Sequence, residues 1–456
     1  MTAPTSPTRP RSVPAGAAAI PDAGGWLSAP RATARFIRDP IALLRSLAAR
    51  HGPTFRLALL DGPSVVTGDP DFIREMYASD PGLLDAPNDI AAPLVGRRSV
   101  VVANGALHKH KRKMLAPPFH GARMRAYGHT IADATLRALD GLAVGDPVDV
   151  LAITQRLSLE VILRAVFGVS DAARVAALRA AITRAVAGLP TWLLFARPLH
   201  HTFGGAGPWA RYQAAVAALE RLLRDEIARA RAAPAESRDD VLALLLSARD
   251  EADQPMPDDE LVDELRTLVI AGHETTATTL AWTLWELHRN PPALAPLVEA
   301  LGALGDAPSP EALARAPLLA ATCDEAMRMH PIVPIFRRRV TRDARIAGHD
   351  LRAGTLLSPA VALTHYDPAI FAEPDAFRPA RFLERRYAAS EFMPFGGGDR
   401  RCLGAAFANY ELQVALGTWL TRHRFEAEPG APLRLVMNGI TARPSDRVLL
   451  RYRGRA

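Results

Sequence analysis

Apolar side chains recur with the spacing of an α-helix over most of the 456 residues. Helices are expected over 36–51, 69–78, 130–188 in succession, 209–231, 257–289 and 318–329. Runs with β-strand character are short, and two of them, 55–60 and 64–67, flank the turn residues Asp61-Gly62-Pro63. A second pair, 433–440 and 447–451, predicts a final hairpin. The pattern therefore predicts a mainly α protein with a small β region.

One predicted helix is much longer than the others. Pro257-Asp258-Asp259-Glu260 is a helix-start signal, and Asn290-Pro291-Pro292 is the matching stop signal. At ~1.5 Å per residue, the helix between them would be about 50 Å long and would cross the whole domain. Its middle is apolar on nearly all sides, yet it contains Gly272, Glu274 and Thr275. Because a glycine and a carboxylate inside a buried helix cost stability, these residues are candidates for function.

A glycine-rich turn near the C-terminal end carries a cysteine. The turn is Gly396-Gly397-Gly398-Asp399-Arg400-Arg401-Cys402, and a predicted helix follows from Ala405. Positive charge beside a cysteine and the N-terminus of a following helix both favour the thiolate over the thiol. The alternative is a turn before a helix that holds a buried structural thiol.

This turn resembles the haem-ligand loop of the cytochrome P450 family. The positions that match in order and spacing are Phe395, Gly396, Gly398, Arg400, Cys402 and Gly404. The resemblance implies heme b as the cofactor, with the Cys402 thiolate as the axial ligand of its iron and with Phe395 and Arg400 beside the cofactor. It also implies the cytochrome P450 fold of the soluble bacterial type, in which a long central helix lies over the haem.

The middle of the long helix carries a second match. Ala271-Gly272-His273-Glu274-Thr275-Thr276 agrees fully with the oxygen-activation motif of the family. The resemblance implies that Thr275 hydrogen-bonds the oxygen being activated and that Glu274 relays protons. For a single buried Glu-Thr pair, the alternative is a hydroxyl that bonds back to its own helix. His273 occupies a position that the family does not fix, so a packing role is expected for it.

The basic segment 105–113 predicts a helix with two functional faces. His108 and Arg112 are four residues apart and share one face, and Lys109 and Lys113 share a neighbouring one. The family has an aromatic residue or His four residues before an Arg at this point, and the resemblance assigns both residues to a haem propionate. Lys109 and Lys113, with Arg401, are the hypothetical docking face for an acidic redox partner. The alternative is an ordinary solvated charge run.

Two further propionate contacts follow from the resemblance. Arg338 lies five residues before Asp343, which is the family's spacing for a second propionate ligand. Its neighbours Arg337 and Arg339 leave the choice among the three open. His365, in His365-Tyr366-Asp367-Pro368, is expected as another contact.

The resemblance also assigns a structural network and a substrate pocket. Glu325 and Arg328 share a helix face, and the family pairs such residues with an arginine in a segment like the one around Arg381. The expected pocket residues are Ala271, Ile332, Val333, Ile335 and Phe336. The expected substrate-facing segments are the loop 83–104, the mobile lid 189–208 with Pro198, and the Asn438-Gly439 turn.

Composition restricts the partners and the location. A net charge of +7 without a Lys/Arg-rich tail argues against nucleic-acid binding. Two cysteines exclude a four-cysteine iron–sulfur cluster in this chain, and Gly204-Gly205-Ala206-Gly207 lacks dinucleotide spacing. Electrons are therefore expected from a separate ferredoxin or flavodoxin and its reductase.

No run approaches the ~20 apolar residues of a membrane anchor. A disordered Pro/Ala-rich tail (1–25) before a single haem domain (26–456), a monomer and a cytoplasmic location are expected.

The function predicted from the sequence is hydroxylation of a small apolar molecule by a haem-thiolate monooxygenase that uses dioxygen and two external electrons. A fatty acid, terpenoid, steroid or polyketide would suit the pocket, and Arg97 with Arg98 could bind a carboxylate. The alternatives are a peroxide-driven oxygenase of the same fold and a haem-based gas sensor or binding protein. The intact Glu274-Thr275 pair argues against the first, and the lack of a visible signalling segment argues against the second.

Overall fold

The computed structural model describes residues 19–119, 122–195, 200–233, 238 and 240–456. Most of the tail expected over 1–25 lies outside these residues, and so does Pro198 of the expected lid. At the start of the described chain, the backbones of Pro21 and Ala23 hydrogen-bond with that of Arg56.

Helices make up most of the described chain, as the apolar periodicity predicts. They are α1 (Ala29–Arg38), α2 (Pro40–His51), α3 (Pro70–Ala78), α4 (Ala92–Val95), α5 (Gly105–Leu115), α6 (Ala122–Leu139), α7 (Val150–Phe167), α8 (Ala172–Ala187), α9 (Thr191–Phe195), α10 (Gly207–Ala232), α11 (Val241–Ser247), α12 (Asp258–Arg289), α13 (Pro291–Gly302), α14 (Pro310–Ala314), α15 (Pro317–Met329), α16 (Val361–Thr364), α17 (Arg381–Glu384) and α18 (Ala405–Arg422).

The strands are short and lie at the edges of the helical body. They are β1 (Thr54–Leu59), β2 (Gly62–Thr67), β3 (Leu84–Asp85), β4 (Pro147–Asp149), β5 (Arg338–Val340), β6 (Ala344–Ile346), β7 (His349–Leu351), β8 (Leu356–Pro359), β9 (His423–Ala427), β10 (Leu435–Asn438), β11 (Thr441–Pro444) and β12 (Leu449–Arg455). One sheet has the order β1-β2-β8-β5-β3, and another has the order β4-β12-β9. β6 pairs with β7, and β10 pairs with β11.

The long helix α12 passes through the middle of the protein. Its 32 residues make it about 48 Å long. It begins after Pro257 and carries acidic residues in its first turn, where the helix dipole favours negative charge. It packs against α7, α10, α15 and α18. Because it is surrounded by other helices, nearly all of its apolar side chains are buried, as the sequence pattern predicts.

Two predictions about the smaller elements are wrong. The helix expected over 36–51 is divided at Asp39, because Pro40 begins a new helix and the Asp39 carboxylate caps it by accepting the Ala42 N–H at 2.9 Å. The runs 433–440 and 447–451 do not pair with each other. β10 turns back at once into β11, whereas β12 pairs with β4 and β9.

Candidate active site

The cysteine loop is a tight turn that sits against a tyrosine. The Cys402 N–H donates to the Phe395 carbonyl at 2.9 Å, which closes the turn just before α18. Gly396 and Gly398 have φ values of 64° and 61°, which favour glycine. A Cβ atom on Gly397 would lie 2.3 Å from the Tyr77 ring, so this position has no room for a side chain. Tyr77 in turn reaches Met393 with its hydroxyl, 3.4 Å from the sulfur.

The Cys402 thiol is exposed, yet its surroundings are those of an interior group. Burial raises its pKa, while the Gly404 N–H, Arg112 and Arg401 act in the opposite direction. The flanking Arg401 thus lowers this pKa as the sequence predicts, but desolvation outweighs it, so the pKa of the thiol taken alone is raised. The two observations agree if the sulfur opens into a space inside the protein, where a metal cation would deprotonate it.

Four basic side chains from three separate segments converge near this loop. Arg112 donates to the Arg401 carbonyl at 2.7 Å, and Arg400 donates to the Ala103 carbonyl at 2.6 Å. Burial lowers the pKa of Arg338 to about 10, with repulsion from Arg400 as the next cause. Burial, Arg400 and Arg112 lower the pKa of His108 to about 4.

In the part of the chain that the structure describes, the arginines of this cluster lack acidic partners. Among the described residues, no carboxylate lies within 4.0 Å of the guanidinium groups of Arg112, Arg338 or Arg400. By contrast, Arg337 pairs with Asp61 at 2.7 Å. A group of mutually repelling cations that is partly buried has a strong affinity for anions.

His365 does not join this cluster, contrary to the expectation. Its side chain is fully buried, and its Nε2 atom accepts the Met393 N–H at 3.0 Å. Its Nδ1 atom lies 3.2 Å from the Arg328 carbonyl oxygen, and the N–H at this nitrogen donates a hydrogen bond to that oxygen. Since both ring nitrogens have backbone partners, no polar atom remains to contact a propionate.

α12 presents the expected oxygen-activation residues on one accessible stretch. Ala271 is exposed in the middle of this otherwise buried helix, and Glu274 and Thr275 are half-buried. The Thr275 hydroxyl donates to the Ala271 carbonyl at 2.7 Å, so it makes the bond back to its own helix. Its lone pairs remain available to accept a hydrogen bond. His273 is buried, and its Nδ1 atom lies 2.9 Å from the Val269 carbonyl, consistent with a packing role.

The segment between α15 and β5 holds the remaining expected pocket residues. Ile332, Ile335 and Phe336 are half-buried, and Val333 is exposed. Ile332 packs toward Trp282 of α12, whereas Phe336 stacks on Tyr77 with their ring centroids 6.5 Å apart. The segment thus extends from α12 to the neighbourhood of the cysteine loop.

The expected structural network is compact and completely buried. Arg328 makes two bonds to the Glu325 carboxylate, Nε to Oε2 at 2.7 Å and Nη2 to Oε1 at 2.8 Å. Arg381 adds a third bond from Nε to Oε1 at 3.0 Å. The backbone N–H of Arg378 adds a fourth, also to Oε1, at 2.8 Å. Arg381 also donates to the Ala372 carbonyl at 2.7 Å, so the network fastens α15 to the segment before the cysteine loop.

A buried ion cluster was missed by the sequence analysis. Lys111 of α5 is 1% exposed and contacts the carboxylates of Glu260 and Glu264 on α12. Glu264 also accepts the Val100 N–H at 2.8 Å. The signal lay in the spacing, because Lys111 falls on the same helix face as the buried Leu115, and Glu260 and Glu264 are four residues apart.

The loop expected to face the substrate is fastened to α12 beside this cluster. The backbone N–H of Arg98 donates to the Asp263 carboxylate at 2.9 Å, and the Thr267 hydroxyl donates to the Val95 carbonyl at 3.1 Å. Arg266 donates to the Leu94 carbonyl at 2.9 Å. This part of the loop therefore has a fixed position relative to the long helix.

The residues present fit a haem. An accessible thiol in interior surroundings suits an iron ligand, and the three arginines around His108, which are Arg112, Arg338 and Arg400, suit two propionates. Ala271 and Thr275 provide an accessible stretch of α12. The fold and this set of residues are those of a haem-thiolate protein.

Comparison with known proteins agrees. The sequence profile described as Cytochrome P450 matches residues 32–450. Cytochrome P450 135B1 of Mycobacterium tuberculosis is 34% identical over 396 residues, which cover 85% of this chain and 81% of that protein. Cytochrome P450 138 of Mycobacterium bovis is 32% identical over 429 residues, with 92% and 93% covered. The solved structure of a cyanobacterial protein, CYP120A1 with retinoic acid bound, has the same fold with a TM-score of 0.80 at 23% identity, over 93% of this chain and 96% of that one.

The chain belongs to the cytochrome P450 family. It is thus a monooxygenase of the oxidoreductase class, and the family uses haem iron with a cysteine thiolate ligand, dioxygen and a redox partner. Over the described residues, no helix combines the length and apolarity that crossing a membrane requires.

Proposed function

We propose that this chain hydroxylates a small apolar molecule with heme b held by the Cys402 thiolate. The observation that carries the proposal is Cys402 itself, which closes the glycine turn and whose thiol is accessible although its surroundings are those of an interior group. Cys323, the other cysteine, is fully buried in α15, and burial raises the pKa of its thiol. It is therefore a poor alternative ligand.

The cationic cluster binds the haem propionates in this proposal. Arg112, Arg338 and Arg400 are free of acidic partners in the described chain, and His108 lies among them. Of the adjacent arginines 337–339, Arg338 is favoured because Arg337 already pairs with Asp61 and Arg339 is exposed. A guanidinium matches the geometry of a carboxylate, so two or three of them can neutralise both propionates.

Glu274 and Thr275 control protons in the proposed reaction. When bound, the haem supplies the activation of dioxygen and the transfer of one oxygen atom to a carbon atom of the substrate. The Thr275 hydroxyl donates to its own helix and keeps lone pairs that can accept a further hydrogen bond. Glu274, the residue directly before Thr275, is the group that can exchange protons with solvent. Buried apolar side chains of α12 flank both residues.

The partners follow from the same proposal. Ala271, Ile332, Val333, Ile335 and Phe336 provide an apolar pocket that suits a fatty acid, terpenoid, steroid or polyketide. Electrons come from a ferredoxin or flavodoxin with its reductase, and exposed Lys109, Lys113 and Arg401 offer an acidic partner a docking face. We further propose a cytoplasmic monomer with one haem domain over 26–456.

The test is the difference spectrum of the reduced, carbon-monoxide-bound protein for the wild type, Cys402→Ser and the matched control Cys323→Ala. The red-shifted Soret band of a thiolate-ligated haem should appear in the wild type and the control and should vanish in Cys402→Ser. A wild type that binds no haem, or a Cys402→Ser protein that keeps the shifted band, would overturn the proposal. Substrate classes can then be screened by the spin-state shift that they cause.

A further inference from the structure

The Glu274 carboxylate has a partner from the far end of the chain. Its Oε1 atom accepts a hydrogen bond from the Asn438 side-chain amide, with Nδ2 at 3.2 Å. The two residues are 164 positions apart, and both are half-buried. Asn438 is the last residue of β10, where the hairpin of β10 and β11 turns.

The hairpin is held in place on three sides, so the Asn438 amide has a defined position. Leu435 and Ala442 pack on the buried Trp282 of α12. The Ala442 N–H donates to the Ile332 carbonyl at 2.7 Å, which ties the hairpin to the apolar segment of the proposed pocket. Within the turn, the Thr441 hydroxyl donates to the Asn438 carbonyl at 3.2 Å.

The third side leads to the segment expected to cover the substrate. The N–H of Gly439, the residue after Asn438, donates to the Thr191 hydroxyl at 2.6 Å. Thr191 is the first residue of α9. Two hydrogen bonds therefore connect α9 to the Glu274 carboxylate through a single turn.

A neutral amide is chemically suited to orient a proton-transferring carboxylate. A Glu side chain has several rotatable bonds, and fixing it in one orientation removes the entropy cost of finding that orientation during the reaction. Lysine or arginine would neutralise the carboxylate, whereas asparagine donates a hydrogen bond and leaves its charge unchanged. The neighbouring Thr275 hydroxyl does not compete, because it donates to Ala271.

We propose that Asn438 is a positioning residue that holds Glu274 in its proton-transferring orientation and links that orientation to α9 through Thr191. The inference rests on the proposed function, in which Glu274 moves protons. It assigns Asn438 a role in catalysis through Glu274 rather than through contact with the substrate.

The test compares Asn438→Ala with Val436→Ala, a change two residues earlier on the same strand that removes no polar atom. Each substitution is made in the wild type and in Glu274→Gln, in the full-length holoprotein. With a plant-type ferredoxin, its reductase and dodecanoic acid as the apolar probe, Asn438→Ala should lower kcat about 3- to 10-fold and leave KM within about twofold. The solvent isotope effect on kcat should rise, because proton transfer becomes slower.

Asn438→Ala should lose these effects in the Glu274→Gln background, and Val436→Ala should show none in either. Thr191→Ala should give a smaller change of the same kind. An equal loss of kcat in both backgrounds, an unchanged isotope effect, or a change in KM alone would overturn the proposal.

A readout independent of turnover separates this proposal from the function that it rests on. The infrared C–O stretch of the reduced, carbon-monoxide-bound protein responds to charges and dipoles near the ligand, and Asn438→Ala should shift or broaden it only when Glu274 is present. For the same reason, the changes in melting temperature caused by Asn438→Ala and by Glu274→Gln should not add up to the change in the double variant. Absence of a thiolate-type spectrum in every variant would refute the proposed function and this inference together. Normal spectra with additive effects would refute this inference alone.

Discussion

Replacing Glu264 by glutamine tests the electrostatics of the buried ion cluster. The carboxylate is 1% exposed, and its Oε1 atom lies 3.5 Å from the Lys111 ammonium, which also contacts Glu260. Its Oε2 atom has no hydrogen-bond partner among the described residues. One lysine therefore faces two carboxylates, and the deeper carboxylate carries the unpaired oxygen.

The size of the effect follows from the pKa of this carboxyl. Burial raises the pKa of Glu264 from 4.5 to about 7, although the Val100 N–H and Lys111 oppose the shift. At ~1.4 kcal/mol per pKa unit, the difference between 4.5 and about 7 corresponds to about 3 kcal/mol. Because the folded protein holds this proton more tightly than the unfolded chain, the contribution of Glu264 to stability is greatest below pH 4.5 and falls as the pH rises to about 7. Between pH 5 and pH 8.5 this contribution falls by about 2–3 kcal/mol.

Scanning calorimetry of the wild type and Glu264→Gln across this pH range measures the effect. At ~2.1 cal/mol/K per residue, unfolding of the chain has an entropy of about 1 kcal/mol/K, so the wild-type melting temperature should fall by about 3 °C relative to the variant between pH 5 and pH 8.5. Taking the difference removes the contributions of other buried acids, such as Asp324 and Glu411, which both proteins share. Glu251→Gln is the control, since Glu251 is exposed and its pKa is lowered by Lys113.

A wild-type-minus-variant difference that is flat over the range would refute the argument, because the carboxyl would then titrate alike in the folded and unfolded chain. A wild-type melting temperature that rises relative to the variant as the pH increases would show that Lys111 outweighs burial. Glu251→Gln should follow the wild type over the whole range, since this acid is ionised in both states above pH 5.

Two further predictions concern the approach to the cysteine loop. Glu325→Ala should destabilise the protein by about 3–5 kcal/mol, because Arg328 and Arg381 would keep buried charges without a counter-ion; a change in melting temperature below one degree by calorimetry would contradict this. Gly397→Ala should cost about 1–3 kcal/mol and reduce haem retention on gel filtration, because the new Cβ would meet the Tyr77 ring at 2.3 Å. Tyr77→Val should restore haem retention in the Gly397→Ala protein, and a failure of this rescue would assign the defect to another cause.

Features that depend on neighbouring residues could be predicted from the sequence. Glycine spacing around Cys402 indicated a tight turn, and Pro257 with the acids after it marked the start of α12 at Asp258. The break at Pro40 was missed, although Asp39-Pro40 has the form of a helix start, because apolar periodicity continued across it. Signals of this kind are local, since they arise from dihedral preferences and from helix ends.

Contacts between distant residues were decided only by the tertiary structure. Lys111 belongs to a basic segment that suggested a solvated face, but α12 packs over it and supplies its two carboxylates. His365 is taken up by backbone partners at Arg328 and Met393.

The sequence by itself determined the family, the cysteine turn and the position of the Glu274-Thr275 pair on one long helix. Only the tertiary structure brought Asn438 to Glu274 and paired β12 with β4 and β9. The physical reason is that a local pattern sets the conformation of a segment and which of its faces is apolar. The partner of a polar side chain, in contrast, depends on which segments, far apart in the chain, pack together when the core forms.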